Sequence, residues 1–321
     1  MDRDHPTVHP YERLTPDLIL DAVDSTGVHS DGRLLALNSF ENRVYQVGIE
    51  GASPLVVKFY RPARWTDAAI AEEHAFALEL AAAELPVVAP LEIDGHTMFE
   101  DAGYRYALYP RRGGRAPELE SADHLQWMGR LLARMHGVGA RDRFRERGAI
   151  DTDTFIRVAA RAVLASGLLP ARLDDAYRAR TTAIAAAIDA RFAALEPVAR
   201  IRLHGDCHGG NVLWTDGGPH FVDLDDARMG PAIQDLWMLA PSPRALDALL
   251  EGYVEFRDFD QRELQLVEPL RLMRQIHWAG WVAARWHDPA FPRAFAHVGE
   301  ARWWEGHLND LGEAMAQLEE D

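Results

Sequence analysis

A single cysteine in 321 residues excludes an internal disulfide and leaves no second thiolate for a sulfur-rich zinc site, so a reducing cytoplasm is the expected setting. Positive charge is scarce as well. Lys and Arg number 34 against 50 Asp and Glu, a net charge of −16, which argues against nucleic acid and anionic membrane as general partners. It does not argue against a small anion held in a locally basic or metal-bearing cleft. No apolar run is long enough to span a bilayer, and the opening MDRDHPTVHP lacks the apolar core of a signal peptide. Internal repeats and low-complexity segments are absent too. What is present is an ordinary globular mixture, 48% hydrophobic and 26% charged, with enough apolar material for two lobes or domains.

The densest chemistry lies in His204-Gly205-Asp206-Cys207-His208-Gly209-Gly210-Asn211 and the Phe221-Val222-Asp223-Leu224-Asp225 that follows. Asp206 and Asn211 stand in the H-x-D-x-x-x-x-N spacing of a kinase catalytic loop. Val212-Leu213-Trp214 reads as a strand, Asp216-Gly217-Gly218-Pro219 as a turn and His220–Asp223 as the returning strand. Folding this hairpin brings Asn211 and Asp223 to one end, within about a residue in register. Two oxygen donors of that kind can share a Mg²⁺ ion, with phosphate and water completing its shell. Asp206 beside them can accept a proton from a hydroxyl nucleophile. Gly- and Asp-rich segments are more often plain turns, and His204, Cys207 and His208 form a rival metal set. The kinase pattern is preferred because loop, hairpin and second Asp occur together and in order.

Residues 34–60 alternate. Leu34–Leu37, Val44–Ile49 and Leu55–Tyr60 read as strands, and in the third Leu55, Val57 and Phe59 face one way while Val56 and Lys58 face the other. A lysine in so apolar a strand either snorkels to water or needs an anion. The next segment offers one. Thr66 caps a helix to about Glu84, and Glu73 shares the stripe of Phe76, Ala77 and Leu80, whereas Glu72 points about 100° away. Glu73 is therefore the expected partner of Lys58, as in the kinase Lys–Glu pair that steadies the α- and β-phosphates of ATP. The loop Asn38–Arg43, where such a fold keeps its phosphate loop, lacks G-x-G-x-x-G. Ser39, Glu41 and Asn42 can tie its turn by side-chain hydrogen bonds, and Ser39 can also donate to a phosphate; an ordinary polar turn accounts for the same residues.

Further strands are expected at Leu91–Ile93, Thr97–Glu100 and Tyr104–Tyr109, and an inter-lobe hinge at Leu108–Arg112. Thr15-Pro16-Asp17 starts a first helix; Ser121 caps another that buries Leu125, Met128, Leu131, Leu132 and Met135, with Gly137 beyond its end. Asp235, on a helix after Gly230-Pro231, is expected to cap backbone amides of the Asp206 loop. The Trp- and His-rich helices from about residue 262 read as packing. The lobes are thus set at 1–107 and 113–321.

Taken together, Leu37–Gln46, Val56–Pro62, Leu203–Asn211 and Val222–Arg228 resemble the aminoglycoside phosphotransferase/choline kinase group of protein-kinase-like folds, and within it the bacterial stress response kinase A family. The resemblance runs from about residue 10 to 305. It implies an α+β, two-lobed protein-kinase-like fold with an antiparallel-sheet N-lobe and a mostly helical C-lobe. It further implies a cytoplasmic serine/threonine protein kinase of stress survival, with Asp206 as proton acceptor, Asn211 and Asp223 as Mg²⁺ ligands, Asp223 also in the catalytic set, and Ser39, with Asn42 beside it, contacting ATP. Lys58 and Glu73 carry over by the general kinase pattern. The expected partners are ATP and a protein Ser or Thr. The alternatives are a small hydroxyl metabolite of the aminoglycoside, choline or homoserine type, a nucleotide-binding scaffold without catalysis, and a zinc hydrolase.

Overall fold

Thr15 Oγ1 accepts the Leu18 amide (3.3 Å) and Pro16 opens the first helix, α1 (Pro16–Asp24), which buries Ile19, Ala22 and Val23. The computed structural model describes residues 9–320. After α1 come β1 (Ser30–Ala36), β2 (Arg43–Ile49), β3 (Ala52–Phe59), α2 (Asp67–Ala82), β4 (Phe99–Asp101) and β5 (Tyr104–Pro110). The strands form one antiparallel sheet in the order β1-β2-β3-β5-β4. Alternation along β3 sorts its two faces. Leu55, Val57 and Phe59 join Ile19, Val23, Tyr104 and Tyr106 in one core, while Val56 packs with Tyr60, Ile70 and Tyr109 on the other. Lys58 lies on this second side, paired across β5 with Ala107.

Leu91–Ile93, expected as a strand, joins no ladder. Leu91 donates to Leu108 O (2.7 Å) and Ile93 makes a single bridge with His96. Pro90 before it and the Asp94-Gly95 turn after it, both turn residues at positive φ, leave no length for more.

Thr66 Oγ1 caps α2 through the Ala69 amide (3.1 Å), and Ser121 Oγ caps α3 (Ala122–Gly139) through that of His124 (3.4 Å). Gly137 does not lie past the end of α3 but inside it. The helix continues to Gly139, where the Arg202 carbonyl comes so close that a Cβ would overlap it. Next are α4 (Ala159–Ala165), α5 (Asp174–Ala194), β6 (Ile201–Leu203), β7 (Val212–Thr215), β8 (Gly218–Phe221) and β9 (Arg228–Gly230). β7 and β8 make the expected hairpin, with a tighter turn. Thr215 pairs Gly218 and Trp214 pairs Pro219, leaving Asp216-Gly217 as the turn; a two-stranded ribbon offers Pro219 an edge. β6 and β9 pair with each other, antiparallel. The remaining helices are α6 (Ile233–Trp237), α7 (Pro243–Tyr253), α8 (Val267–Ala284), α9 (Ala290–Ala294) and α10 (Ala301–Glu320).

Two compact units result. Pro10–Gly148 with Arg200–Phe259 make one; His9, Ala149–Ala199 and residues 260–320 make the other. In the second unit, Gly280 of α8 lies against Ala159 of α4, and the Trp303 ring stacks on His307 at 5.0 Å, packing as its composition suggested. Among the described residues no helix is long and apolar enough to cross a membrane. Every residue assigned to the site from sequence lies in the first unit.

Candidate active site

The centre of the site is a lysine with almost no water. Lys58 is 6% exposed and its Nζ donates to Glu73 Oε1 at 3.2 Å; Glu73, on the buried face of α2, is 2% exposed. Two more carboxylates face the ammonium, Asp225 Oδ1 at 3.6 Å and Asp223 Oδ1 at 3.7 Å. The rings of Tyr60 and Tyr109 lie 4.8 and 5.4 Å from it. Burial is the largest single influence and by itself would lower the lysine pKa, but Glu73, Tyr109, Tyr60 and Asp225 together outweigh it and hold the pKa well above the usual range. Burial raises the pKa of Glu73 in turn, against the pull of Lys58.

The 204–211 loop is held from below. Gly205 takes φ +84, and a Cβ there would strike the Asp226 carbonyl, so the residue must be glycine. Asp235, fully buried, accepts the amides of His204 and Gly205 at 2.9 Å each, and its Oδ2 meets His136 Nε2 at 3.2 Å. The expected support of the Asp206 loop is thus present. Asn211 Nδ2 donates to the Asp206 carbonyl (2.9 Å), which commits the NH₂ end of its amide and not the Oδ1 end. His208 Nδ1 accepts from Gly210 N (2.9 Å), so the ring proton sits on Nε2, 3.4 Å from Asp206 Oδ2. His204, Cys207 and His208 do not converge. His204 Nε2 is bonded to the Val222 carbonyl (2.9 Å), and Cys207 is buried, its thiol pKa pushed well up by burial.

Past β8 the Val222 amide donates to the Asn211 carbonyl (3.0 Å), so Asn211 and Asp223 lie one residue out of register, as the hairpin argument required. Asp223 adopts the left-handed region at φ 61, ψ 66, which an Asp tolerates at some cost. Its side chain is 52% exposed. Partial loss of water, then the like charges of Asp225 and Asp226, raise its pKa against the pull of Lys58. Asp225 behaves oppositely. It is 4% exposed, yet Arg64 and Lys58 overcome the effect of burial and hold its carboxyl below the ordinary range. Its Oδ2 takes Arg64 Nη1 and Asn42 Nδ2 (3.1 Å), while its buried Oδ1 has no hydrogen-bond partner.

The structure therefore brings Lys58, Glu73 and Asp223 together, and Asp206 with Asn211 around one loop. The Asn38–Arg43 loop joins them through Asn42, which is 3% exposed and has both ends of its amide engaged: Nδ2 on Asp225, Oδ1 accepting the Arg61 amide (3.1 Å). Ser39 Oγ donates to the Asn42 carbonyl (3.1 Å). Sequence reasoning gave no role to Arg64, nor to Asp225 beyond its motif. Their link spans 161 residues, and no local spacing signals such a pair.

The oxygen donors fit a hard divalent cation. The amide oxygen of Asn211, a half-exposed Asp223 carboxylate and an Asp225 oxygen that takes no hydrogen bond are the kind of set that such an ion takes alongside phosphate oxygens. Among the described residues no cluster of three His, Cys, Asp or Glu is arranged as a metal site by itself.

A family model described as the phosphotransferase enzyme family matches residues 33–267. Stress response kinase A of Escherichia coli O157:H7 is 43% identical over 299 residues, covering 92% of this chain and 90% of its own length. A protein of Salmonella typhimurium named serine/threonine protein kinase RdoA is 42% identical over 315 residues, with coverage of 97% and 95%. Among solved structures, amicoumacin kinase hAmiN with AMP-PNP and Ca²⁺ superposes with a TM-score of 0.69 at 17% identity over 92% of this chain and 93% of its own. Spectinomycin phosphotransferase with ADP does so at 0.65 and 12%, over 93% and 98%. Fold and site together define a kinase of the protein-kinase-like phosphotransferase class, built on an α+β architecture. The chain belongs to the phosphotransferase enzyme family and, within it, to the stress response kinase A group.

Proposed function

We propose that this kinase transfers the γ-phosphoryl group of ATP to the hydroxyl of a Ser or Thr in a protein, in the stress response for which its relatives are named. The observation that carries the reading is the buried Lys58–Glu73 pair facing Asp223 and Asp225 in the same unit as the Asp206–Asn211 loop. Lys58 holds the phosphates, steadied by Glu73. Asn211 and Asp223 hold Mg²⁺, which neutralises charge on the phosphates when bound. Asp206 orients the acceptor hydroxyl and takes its proton, with His208 Nε2–H turned toward the same carboxylate. Ser39 lies in the loop over the phosphates; Asn42, whose amide is spent within the protein, acts by fixing that loop to Asp225. Leu108–Arg112 is the hinge that meets adenine, between lobes at 1–107 and 113–321.

Identity favours a protein acceptor. The relatives at 42–43% are named stress response kinase A, one of them serine/threonine protein kinase, whereas the solved neighbours named for small-molecule phosphorylation stand at 17 and 12%. The test is transfer from γ-labelled ATP with Mg²⁺ to the protein itself and to a generic protein acceptor, with a panel of amino alcohols and aminoglycosides in parallel. Label in protein is expected, and Asp206→Asn should lower turnover about a hundredfold or more while nucleotide affinity stays within about twofold. Full turnover in that variant removes Asp206 from the role, and label in a metabolite alone replaces the protein acceptor.

A further inference from the structure

Residues 144–148, Phe144-Arg145-Glu146-Arg147-Gly148, follow α3 and carry no motif. Yet Arg147 is fully buried, and a guanidinium without water must find its acceptors in the protein. It finds them on two elements. Nη1 donates to the Ala69 carbonyl in the first turn of α2 (2.9 Å) and lies 3.8 Å from Glu73 Oε2. Nε donates to the Ala227 carbonyl (2.8 Å) and Nη2 to that of Asp225. The Trp65 ring closes the remaining side, 4.2 Å away.

The segment that carries Arg147 is fastened in turn. Glu72, set one position from the inward stripe of α2, accepts three consecutive amides, Arg145 N at 2.7 Å, Glu146 N at 2.9 Å and Arg147 N at 3.2 Å. The Phe144 ring packs edge-on against Phe76 of α2 (5.5 Å), and the Gly148 carbonyl accepts the Met229 amide (3.0 Å). One short strap is thus tied on one side to residues 69, 72, 73 and 76 of α2, and on the other to 225–229. The first of these elements carries Glu73, and the second begins with Asp225, which faces Lys58 two residues after Asp223 does.

We propose that Arg147, presented by the 144–148 strap and fastened by Glu72, is a positioning residue for the Lys58 cluster: it locks α2 to the Asp223–Ala227 segment so that Glu73, Asp223 and Asp225 meet Lys58 before nucleotide arrives. The proposal rests on the reading of Lys58 as the phosphate-holding group. It makes the ion pair a permanent assembly rather than one formed by a swing of α2.

Glu72→Ala tests it, because Glu72 is only partly buried and its removal leaves no buried charge unpaired. In the unliganded variant, amide hydrogen exchange over α2 and over 145–147 should quicken about tenfold or more. The dissociation constant of a fluorescent ATP analogue should rise about tenfold, or about 1.4 kcal/mol. In a Glu73→Gln background the same substitution should add little further loss of affinity, since both act through one pair. Arg147→Lys keeps a charge near Glu73 but cannot reach three carbonyls, and should match Glu72→Ala where it folds. Unchanged exchange in α2, or losses at 72 and 73 that simply add, would overturn the clamp. If Glu73→Gln weakens nucleotide binding and Glu72→Ala does not, the clamp fails and the reading of Lys58 stands. If Glu73→Gln alone binds nucleotide normally, both fall.

Discussion

Asp225 is buried among like charges and remains ionised because two cations face it. Arg64 holds one oxygen and Lys58 lies 3.6 Å from the other. Its carboxyl therefore titrates below the ordinary range in the folded protein. The unfolded chain binds that proton more readily, so the stability gained from ionised Asp225 is complete above its unfolded pKa, about 3.9, and is lost as pH falls through the lower folded value. Asp225→Asn keeps the shape but not the charge. Breaking one partner from a buried ion pair costs about 3 to 5 kcal/mol, and urea denaturation at pH 7 should show a loss of that order for this variant. The gap from wild type should shrink as pH drops below about 3.9. A gap that stays constant with pH would mean that the charge on Asp225 does not contribute to folding. Glu73 has the opposite sign, since burial raises its pKa; between its unfolded and folded values it costs stability as pH rises. The site thus holds one acid stabilised by its charge, Asp225, and two, Glu73 and Asp223, whose surroundings resist ionisation, and Lys58 faces all three.

Elements were legible where a cap and a periodic stripe coincide. Thr15, Thr66 and Ser121 each cap the helix that they precede, and Glu73 lies on the buried stripe that its spacing assigned. The hairpin that sets Asn211 beside Asp223 was legible because two short apolar runs flank a Gly-Gly turn, although the turn is the two residues Asp216-Gly217 rather than the four that the sequence suggests. Glycine in α3 was not. Gly137 resembles a helix stop, but the helix runs on to Gly139, whose missing Cβ lets the Arg202 carbonyl approach the helix backbone. Spacing places Glu72 about 100° from the inward stripe and says no more, since nothing near it in sequence reveals that three amides more than 70 residues away need an acceptor. Arg64 and Arg147 were invisible for the same reason. A paired substitution separates the two glycines. Gly137→Ala meets open space inside a helix and should stabilise by up to about 1 kcal/mol. Gly139→Ala drives a methyl into the Arg202 carbonyl and should destabilise by about 1 to 3 kcal/mol. Thermal melts of both variants against wild type check the pair; equal effects would mean that α3 does not pack on the β6 segment as described.

At the scale of the molecule, charge and function pull in opposite directions. The chain carries −16, yet its family acts on an anionic phosphate donor. The cations beside the site do not offset this from a distance. Lys58 is matched by Glu73, Arg61 by Glu41, and Arg64 by Asp225 and Asp226, so each is strong at contact and nearly cancelled beyond it. What a distant nucleotide meets is the net field, which is repulsive and reaches about 30 Å at 0.01 M salt but only about 8 Å at 0.15 M. Added salt should therefore quicken nucleotide association. Stopped-flow binding of a fluorescent ATP analogue, followed from about 0.01 to 0.15 M monovalent salt at fixed Mg²⁺, should show the association rate constant rising about two- to fivefold while dissociation, governed by short-range contacts, changes little. An association rate that falls with salt would show that a local positive field reaches past the paired carboxylates, and that net charge is the wrong scale on which to judge how this molecule meets its ligand.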